Sequence, residues 1–306
     1  MTTARRGSIH LFRFAGIDVF LHWYWFLFAA YEISDRTRNY SSVTWNLVEY
    51  MALFFIVLLH EYGHALACRQ VGGTANQIML WPLGGVAYVN PPLRPGPTLW
   101  SIAAGPLVNV AILVIFTPMG IMLDRSLRLA QTEPDLHSLL LALLWLNEVL
   151  LVFNLLPIYP LDGGKILRCL LWFVFGRARS LMATVVIGFI GVAGVLLLAL
   201  WMRSGWLAVL GLFIVASCWE GLKEAKALSR LADLPRHTGF ACPSCNTSPP
   251  VGNFWKCSHC AKAFDTFQSQ ARCPNCGTQY PLTMCLDCRS RNPWSAWVVR
   301  APAPVE

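Results

Sequence analysis

The stretch FFIVLLHEYGHALACR, residues 54–69, runs an apolar helical segment straight into three polar groups, His60, Glu61 and His64. Ionisable side chains are costly inside a bilayer and persist there when they face a bundle interior or a water-filled cavity. On a helix, positions i and i+4 share a face, so His60 and His64 aim at one point and Glu61 lies about 100° further round. Two imidazoles on one metal ion, with a carboxylate beside the metal's water, form the HExxH arrangement of hydrolytic zinc sites. A helix end snorkelling into the interface is the plainer alternative for the same residues.

Outward from this stretch the chain divides in two. Of 306 residues, 56% are hydrophobic and 13% charged, and the mean hydropathy is +0.49. That exceeds what a soluble domain carries. Residues 1–232 hold the apolar sequence, and residues 237–306 are polar, Cys-rich and Pro-rich. The expected fold is an all-α polytopic membrane protein followed by a small zinc-ribbon domain. Six runs are candidate spans: Val19–Tyr31, Tyr50–Leu59 with its flanks, Leu99–Leu123, Leu136–Leu156, Leu181–Met202 and Gly205–Trp219. About 20 residues are needed to cross a bilayer. No small-residue cleavage site closes the first run, which is read as a retained span. With six spans and the N-terminus inside, Lys and Arg before the Cys-rich tail divide thirteen inside to five outside. That bias places both termini in the cytoplasm, on the cell membrane. No basic run is dense enough to call for nucleic acid.

A catalytic zinc takes three protein ligands and leaves its fourth place to water. The third candidate is Asp162, in FNLLPIYPLDGGKIL, residues 153–167. Pro157 and Pro160 preclude a regular helix, and Gly163 and Gly164 permit a sharp turn that carries the carboxylate inward. An ordinary helix N-cap is the competing role. The run TANQIMLWPLGGVAYVNPP, residues 74–92, is too short and interrupted to span, yet too apolar for an exposed loop. Two short strands about Pro82–Gly85 are expected, as a hairpin re-entering the membrane. Its edge could pair with an unwound substrate by β-augmentation.

HEYGH, AAGPLVN (residues 103–109), LWPLGGVAYV (residues 80–89) and FNLLPIYPLDGG, in this order and spacing, resemble the signature segments of the site-2 protease family, peptidase family M50. The resemblance covers about residues 10–230. It implies an intramembrane zinc metalloprotease with His60, His64 and Asp162 as zinc ligands and Glu61 as general base. It further implies Asn154 close to the scissile carbonyl, where its amide could donate to an oxyanion; an interhelical hydrogen bond is the alternative. Substrate-binding positions are placed at Gly84 and Gly85 of the hairpin and at Gly105 and Asn109, although a small-xxx-polar pattern also serves close helix packing. Pro106 is expected to mark an irregularity. His22 resembles a residue of the family's first span but suits a packed core as well. Cys68, Cys169 and Cys218 read as small buried hydrophobes. Glu148, beside Asn147, is expected to make a structural hydrogen bond inside the bundle.

Eight of the eleven Cys form four Cys-x-x-Cys knuckles in the tail. Knuckles at this spacing read as two tetrahedral thiolate sites, and a cytoplasmic tail suits zinc better than disulfides. Sequential pairing is expected: Cys242, Cys245, Cys257 and Cys260 on one structural zinc, Cys273, Cys276, Cys285 and Cys288 on another. Together these readings predict one catalytic and two structural Zn²⁺, a transmembrane protein as substrate, the lipid bilayer as surroundings, and a regulator or substrate docking on the ribbons. The rival functions are a non-catalytic metal-binding membrane protein and a scaffold acting through its ribbons.

Overall fold

The computed structural model describes residues 7–27, 40–81 and 84–299. The chain divides into two compact units, Met1–Lys223 and Glu224–Glu306.

The first unit carries a four-stranded sheet on a set of long apolar helices. Strands β1 (Ser8–Phe14), β2 (Ile17–His22), β3 (Thr74–Trp81) and β4 (Gly84–Asn90) lie in sequence order across the sheet. β1–β2 and β3–β4 are antiparallel, whereas β2 and β3 run parallel. A parallel pair requires a crossover. Helix α1 (Val43–Gln70) lies in that crossover, so the HExxH helix packs on the sheet as part of a βαβ unit. Their shared core joins Ile17, Val19, Leu21, Ile78 and Leu80 to Val57, Leu58, Tyr62, Ala65 and Cys68.

Helix α2 (Pro95–Leu127) opens with proline in its first turn, where the missing amide hydrogen costs nothing. It continues unbroken through Pro106 and Pro118, so no break marks Pro106. A single turn, α3 (Leu129–Thr132), leads to α4 (Pro134–Leu155), again entered by proline with Asp135 in the first turn. Helix α5 (Asp162–Trp201) is broken at Gly176, whose φ of 75° and ψ of 173° are non-helical. Helix α6 is Gly205–Ala232. All of these except α3 are long and apolar enough to cross a membrane, five helices among the described residues. Their outward side chains are apolar, with Val174, Leu200 and Trp201 at least three-quarters exposed. Water would oppose that surface, and lipid accommodates it.

Two expectations change here. The run Val19–Tyr31 begins as strand β2, and only Tyr24–Leu27 turn helical before residues 28–39, which lie outside the described residues. The alternation of faces from Ile17 to His22 belongs to a sheet, and that part pairs with β3. The expected hairpin exists as β3–β4 but forms half of a larger sheet, with residues 82–83 outside the description. His22 ends β2, buried, with its ring stacked on Trp81 at 3.9 Å. Cys68, Cys169 and Cys218 are buried.

The second unit contains the knuckles, held by two two-stranded sheets, β5 (Trp255–Lys256) with β6 (Ala263–Phe264) and β7 (Leu282–Met284) with β8 (Arg291–Pro293). Asp265 is its polar hub. It accepts from the Gly252 amide at 2.8 Å and the Phe267 amide at 2.9 Å, and its other contact is His237 at 2.8 Å. Burial disfavours its charge, but these donors outweigh burial and hold the carboxyl below its ordinary range. Arg236 grips Asp287 and also donates to Leu231 O, at the C-terminal end of α6.

Candidate metal centre

Three side chains from two helices meet inside the first unit. His60 and His64 leave one face of α1, and Asp162 opens α5. His60 Nε2 and His64 Nε2 are 3.1 Å apart, and each lies within 3.1 Å of Asp162 Oδ2. For zinc bonds of about 2.0 Å, the edges of a tetrahedron are about 3.3 Å. Two imidazole nitrogens and one carboxylate oxygen at near that spacing fit zinc, with one corner left. All three residues are buried.

The helix start that delivers Asp162 depends on close backbone approach. A methyl group at Gly163 would lie 2.2 Å from Leu155 O, and one at Gly164 would lie 2.6 Å from Ile158 C. Only glycine lets α5 begin so tightly against the end of α4. Asp162 lies in the first turn of α5, where the helix dipole favours negative charge, and Lys165 Nζ donates to its Oδ1 at 3.3 Å.

The outer nitrogens of the imidazoles are held as well. His64 Nδ1 donates to Ser101 O at 2.9 Å. His60 Nδ1 faces Asn109 Oδ1 at 2.6 Å, and the Asn109 amide in turn donates to Asn147 Oδ1 at 2.6 Å. Asn147 closes the loop by donating to Asn109 O at 3.0 Å. An acceptor on Nδ1 makes that nitrogen the protonated one and leaves Nε2 free as a metal ligand.

Several residues expected to bind substrate touch the metal-site side chains. Asn109 is fully buried and holds His60. A methyl group at Gly105 would lie 2.2 Å from His64 Nε2, so Gly105 makes room for the imidazole. Gly85 does the same for Glu61, with a hypothetical Cβ 2.2 Å from Glu61 Cγ. Gly84 neighbours it in β4, opposite Trp81. Glu61 is buried beside the three donors, and its Oε2 accepts from the Ala87 amide of β4 at 2.8 Å. Asn154 stands half-buried in the last turn of α4, without a hydrogen-bond partner among the described residues.

Asn147, Ser101 and Lys165 escaped the sequence reading. Asn147 had a signal, since an amide in the apolar run LLWLNEVLL needs a partner. Its charged neighbour Glu148, expected to bond inside the bundle, lies on the exposed side of α4. Ser101 acts through its backbone carbonyl, which no side-chain pattern reveals.

In the tail, the thiolate clusters are nested. Cys242 and Cys245 join Cys285 and Cys288, and Cys257 and Cys260 join Cys273 and Cys276, correcting the sequential pairing. Sulfur separations across the two clusters run from 3.6 to 3.8 Å. Zinc–sulfur bonds of about 2.3 Å give tetrahedral edges of about 3.8 Å. The reason for nesting lies away from the cysteines. The two ends of the unit pair through Ala241 N to Trp297 O and Val299 N to Gly239 O, which brings the first and last knuckles together. Phe240, Phe267, Trp294 and Trp297 fill the space between them. Cys285 holds the Cys245 thiol down at about 4, and the Tyr280 hydroxyl holds Cys257 down at about 5. Each cluster therefore offers a ready thiolate.

Comparison with known proteins agrees with this geometry. The family model of peptidase family M50 matches residues 49–127 and 118–198. A zinc metalloprotease of Methanocaldococcus jannaschii is 34% identical over 56% of this chain and 48% of its own length. The Rip3 protein of Mycobacterium tuberculosis is 30% identical over 70% of this chain and 58% of its own. The chain thus spans about half the length of the curated relatives it matches. The solved site-2 protease of Methanocaldococcus jannaschii is 30% identical, with a TM-score of 0.51 over 70% of this chain and 94% of that one.

Proposed function

The chain belongs to peptidase family M50, and from that premise we propose that it is a zinc endopeptidase that cuts client proteins within or next to their transmembrane segments. The observation that carries this reading is the buried convergence of His60, His64 and Asp162, with Glu61 beside it. Zinc held by those three residues would supply a Lewis acid and a water of lowered pKa. Glu61 accepts the proton of the attacking water and returns one to the leaving amine. Asn109 and Ser101 keep both imidazoles in the ligating tautomer. Asn154, with its amide uncommitted, donates to the oxyanion of the scissile carbonyl.

The client must present an extended backbone, because helical hydrogen bonds shield the carbonyl. β4 is an edge strand, so an unwound client segment pairs with it beside Glu61 as the hairpin dips into the membrane. The Lys and Arg bias favours both termini on the cytoplasmic side of the cell membrane. Residues 237–306 form the cytoplasmic ribbon domain, which holds two structural zinc ions and docks a regulator or the client, and residues 1–232 form the protease.

The test is metal content and cleavage of single-span clients by wild type and Glu61→Gln in bilayers. Three zinc per chain in both proteins, with turnover lost in the variant, is expected. Undiminished turnover in the variant would end the protease reading in favour of a metal-binding or scaffold role.

A further inference from the structure

We infer that Ile158 and Tyr159 form a plug by which α6 and the second half of α5 hold Asp162 at the metal centre, which makes Cys218, Gly188, Gly191 and Gly221 positioning residues for the third ligand. Asp162 lies four residues beyond Ile158, and the backbone between them is a tight turn. Ile158 O accepts from the Leu161 amide at 2.8 Å, and Leu161 O accepts from the Lys165 amide at 3.1 Å, in the first turn of α5. A methyl group at Gly164 would lie 2.6 Å from both Ile158 C and Tyr159 N, so the start of α5 is stacked directly on the plug. Ile158 to Lys165 is therefore one stiff piece, and a push on Ile158 or Tyr159 reaches Asp162.

The same piece is gripped by helical segments remote in sequence. A straight helix would carry Gly191 about 44 Å from Asp162. Instead a methyl group at Gly191 would lie 2.5 Å from Ile158 Cγ1, so α5 doubles back after its break at Gly176. One at Gly188 would lie 3.3 Å from Tyr159 N and 2.8 Å from Cys218 Sγ of α6. From α6, a methyl group at Gly221 would meet Tyr159 Cε1 at 2.9 Å, and the Cys218 thiol donates to Tyr159 O at 3.1 Å. Ile158 shares one core with Val192 of α5 and with Ile214 and Cys218 of α6.

Small residues in membrane helices commonly serve helix-to-helix packing. Here they admit the loop that ends in a metal ligand, and the magnitudes show why that matters. To restore ordinary carbon contact at about 3.5 Å, a methyl group at Gly191 must drive Ile158 back by about 1 Å, several times the roughly 0.2 Å within which ligand bonds hold. Ile158 is buried in a packed core, so its side chain has little room to turn aside and the backbone yields. This role rests on reading His60, His64 and Asp162 as zinc ligands, and it is independent of the cleavage chemistry.

The experiment titrates cobalt against a chelator, on the full chain in nanodiscs with zinc in its cysteine clusters. Gly191→Ala should weaken cobalt at the buried site at least about tenfold. Adding Ile158→Ala, which returns the space, should recover most of that loss. Cys218→Ala adds no bulk and should lose affinity severalfold, while Cys218→Ser keeps a donor and should lose less. Because the effect runs through Asp162, Gly191→Ala should change nothing further in an Asp162→Ala background, where the two imidazoles alone still bind cobalt weakly. Equal affinity in wild type and Gly191→Ala, or the same fold-loss in the Asp162→Ala background, would overturn the inference. If Gly191→Ala loses its thermal unfolding transition, Cys218→Ala decides, and undiminished affinity there overturns it. Wild type that binds no cobalt at His60 and His64 would remove the metal reading itself, and this role with it.

Discussion

Replacing Asn109 by alanine removes the oxygen that faces His60 Nδ1 at 2.6 Å and strands Oδ1 of Asn147, whose amide still donates to the backbone carbonyl of residue 109. Metal-ligating histidines that lose such a partner typically lose about 10- to 100-fold in metal affinity. That corresponds to about 1.4–2.8 kcal/mol. Because Asn109 is fully buried, no solvent replaces the lost contact. Asn147 reaches His60 only through Asn109, so Asn147→Ala should weaken the metal less. The double variant should cost no more metal affinity than Asn109→Ala alone, a departure from additivity expected of side chains in one chain of hydrogen bonds. Asn109→Asp keeps an acceptor at the same place and should recover part of the loss. The assay is cobalt binding, because a His/Asp site lacks the sulfur-to-metal charge transfer of the cysteine clusters and is read separately from them. Unchanged cobalt affinity in Asn109→Ala, or strictly additive losses, would refute the orienting role.

The two close-packed glycines should fail differently. Gly105→Ala pushes on His64 and should cost metal at the buried site, whereas Gly85→Ala displaces Glu61 and should keep the metal while turnover falls by at least about tenfold; Gly96→Ala, with open space around it, is the neutral control. In the tail, the nested arrangement predicts that Cys242→Ser with Cys288→Ser loses one zinc, while Cys242→Ser with Cys257→Ser loses two, as counted by elemental analysis. Asp265 sets an acid limit on the ribbon. Its folded carboxyl lies below the ordinary value, so its stabilising contribution is complete above the unfolded pKa and disappears as pH falls through the folded one. Asp265→Asn should flatten that acid-side fall in thermal unfolding of the full chain, and an unchanged profile would contradict it.

Much of the metal site was already legible in one dimension. His60 and His64 are a single helical turn apart, and α-helical geometry alone makes them converge. The paired knuckles likewise announce tetrahedral thiolate sites, and the long apolar runs announce membrane helices. These features rest on local spacing, which a chain carries before it folds. Asp162 needed more, since a carboxylate 98 residues from His64 becomes a ligand only once α5 starts against α4.

The partners of those residues were decided in three dimensions. Asn109 and Asn147 come from different helices, and nothing in their separate apolar runs says that they meet. The knuckles pair by nesting because aromatic packing and the closure of the chain ends select it, while Cys spacing permits either choice. The start of the first apolar run, through His22, is a strand because α1 and β3 offered it a face and an edge, a competition hydropathy does not register. The sequence by itself determined the chemistry available to this protein, because donor atoms and short-range periodicity are written into it. Tertiary structure alone decided which groups hold that chemistry in place, because long-range packing chooses among contacts that local sequence leaves equally open.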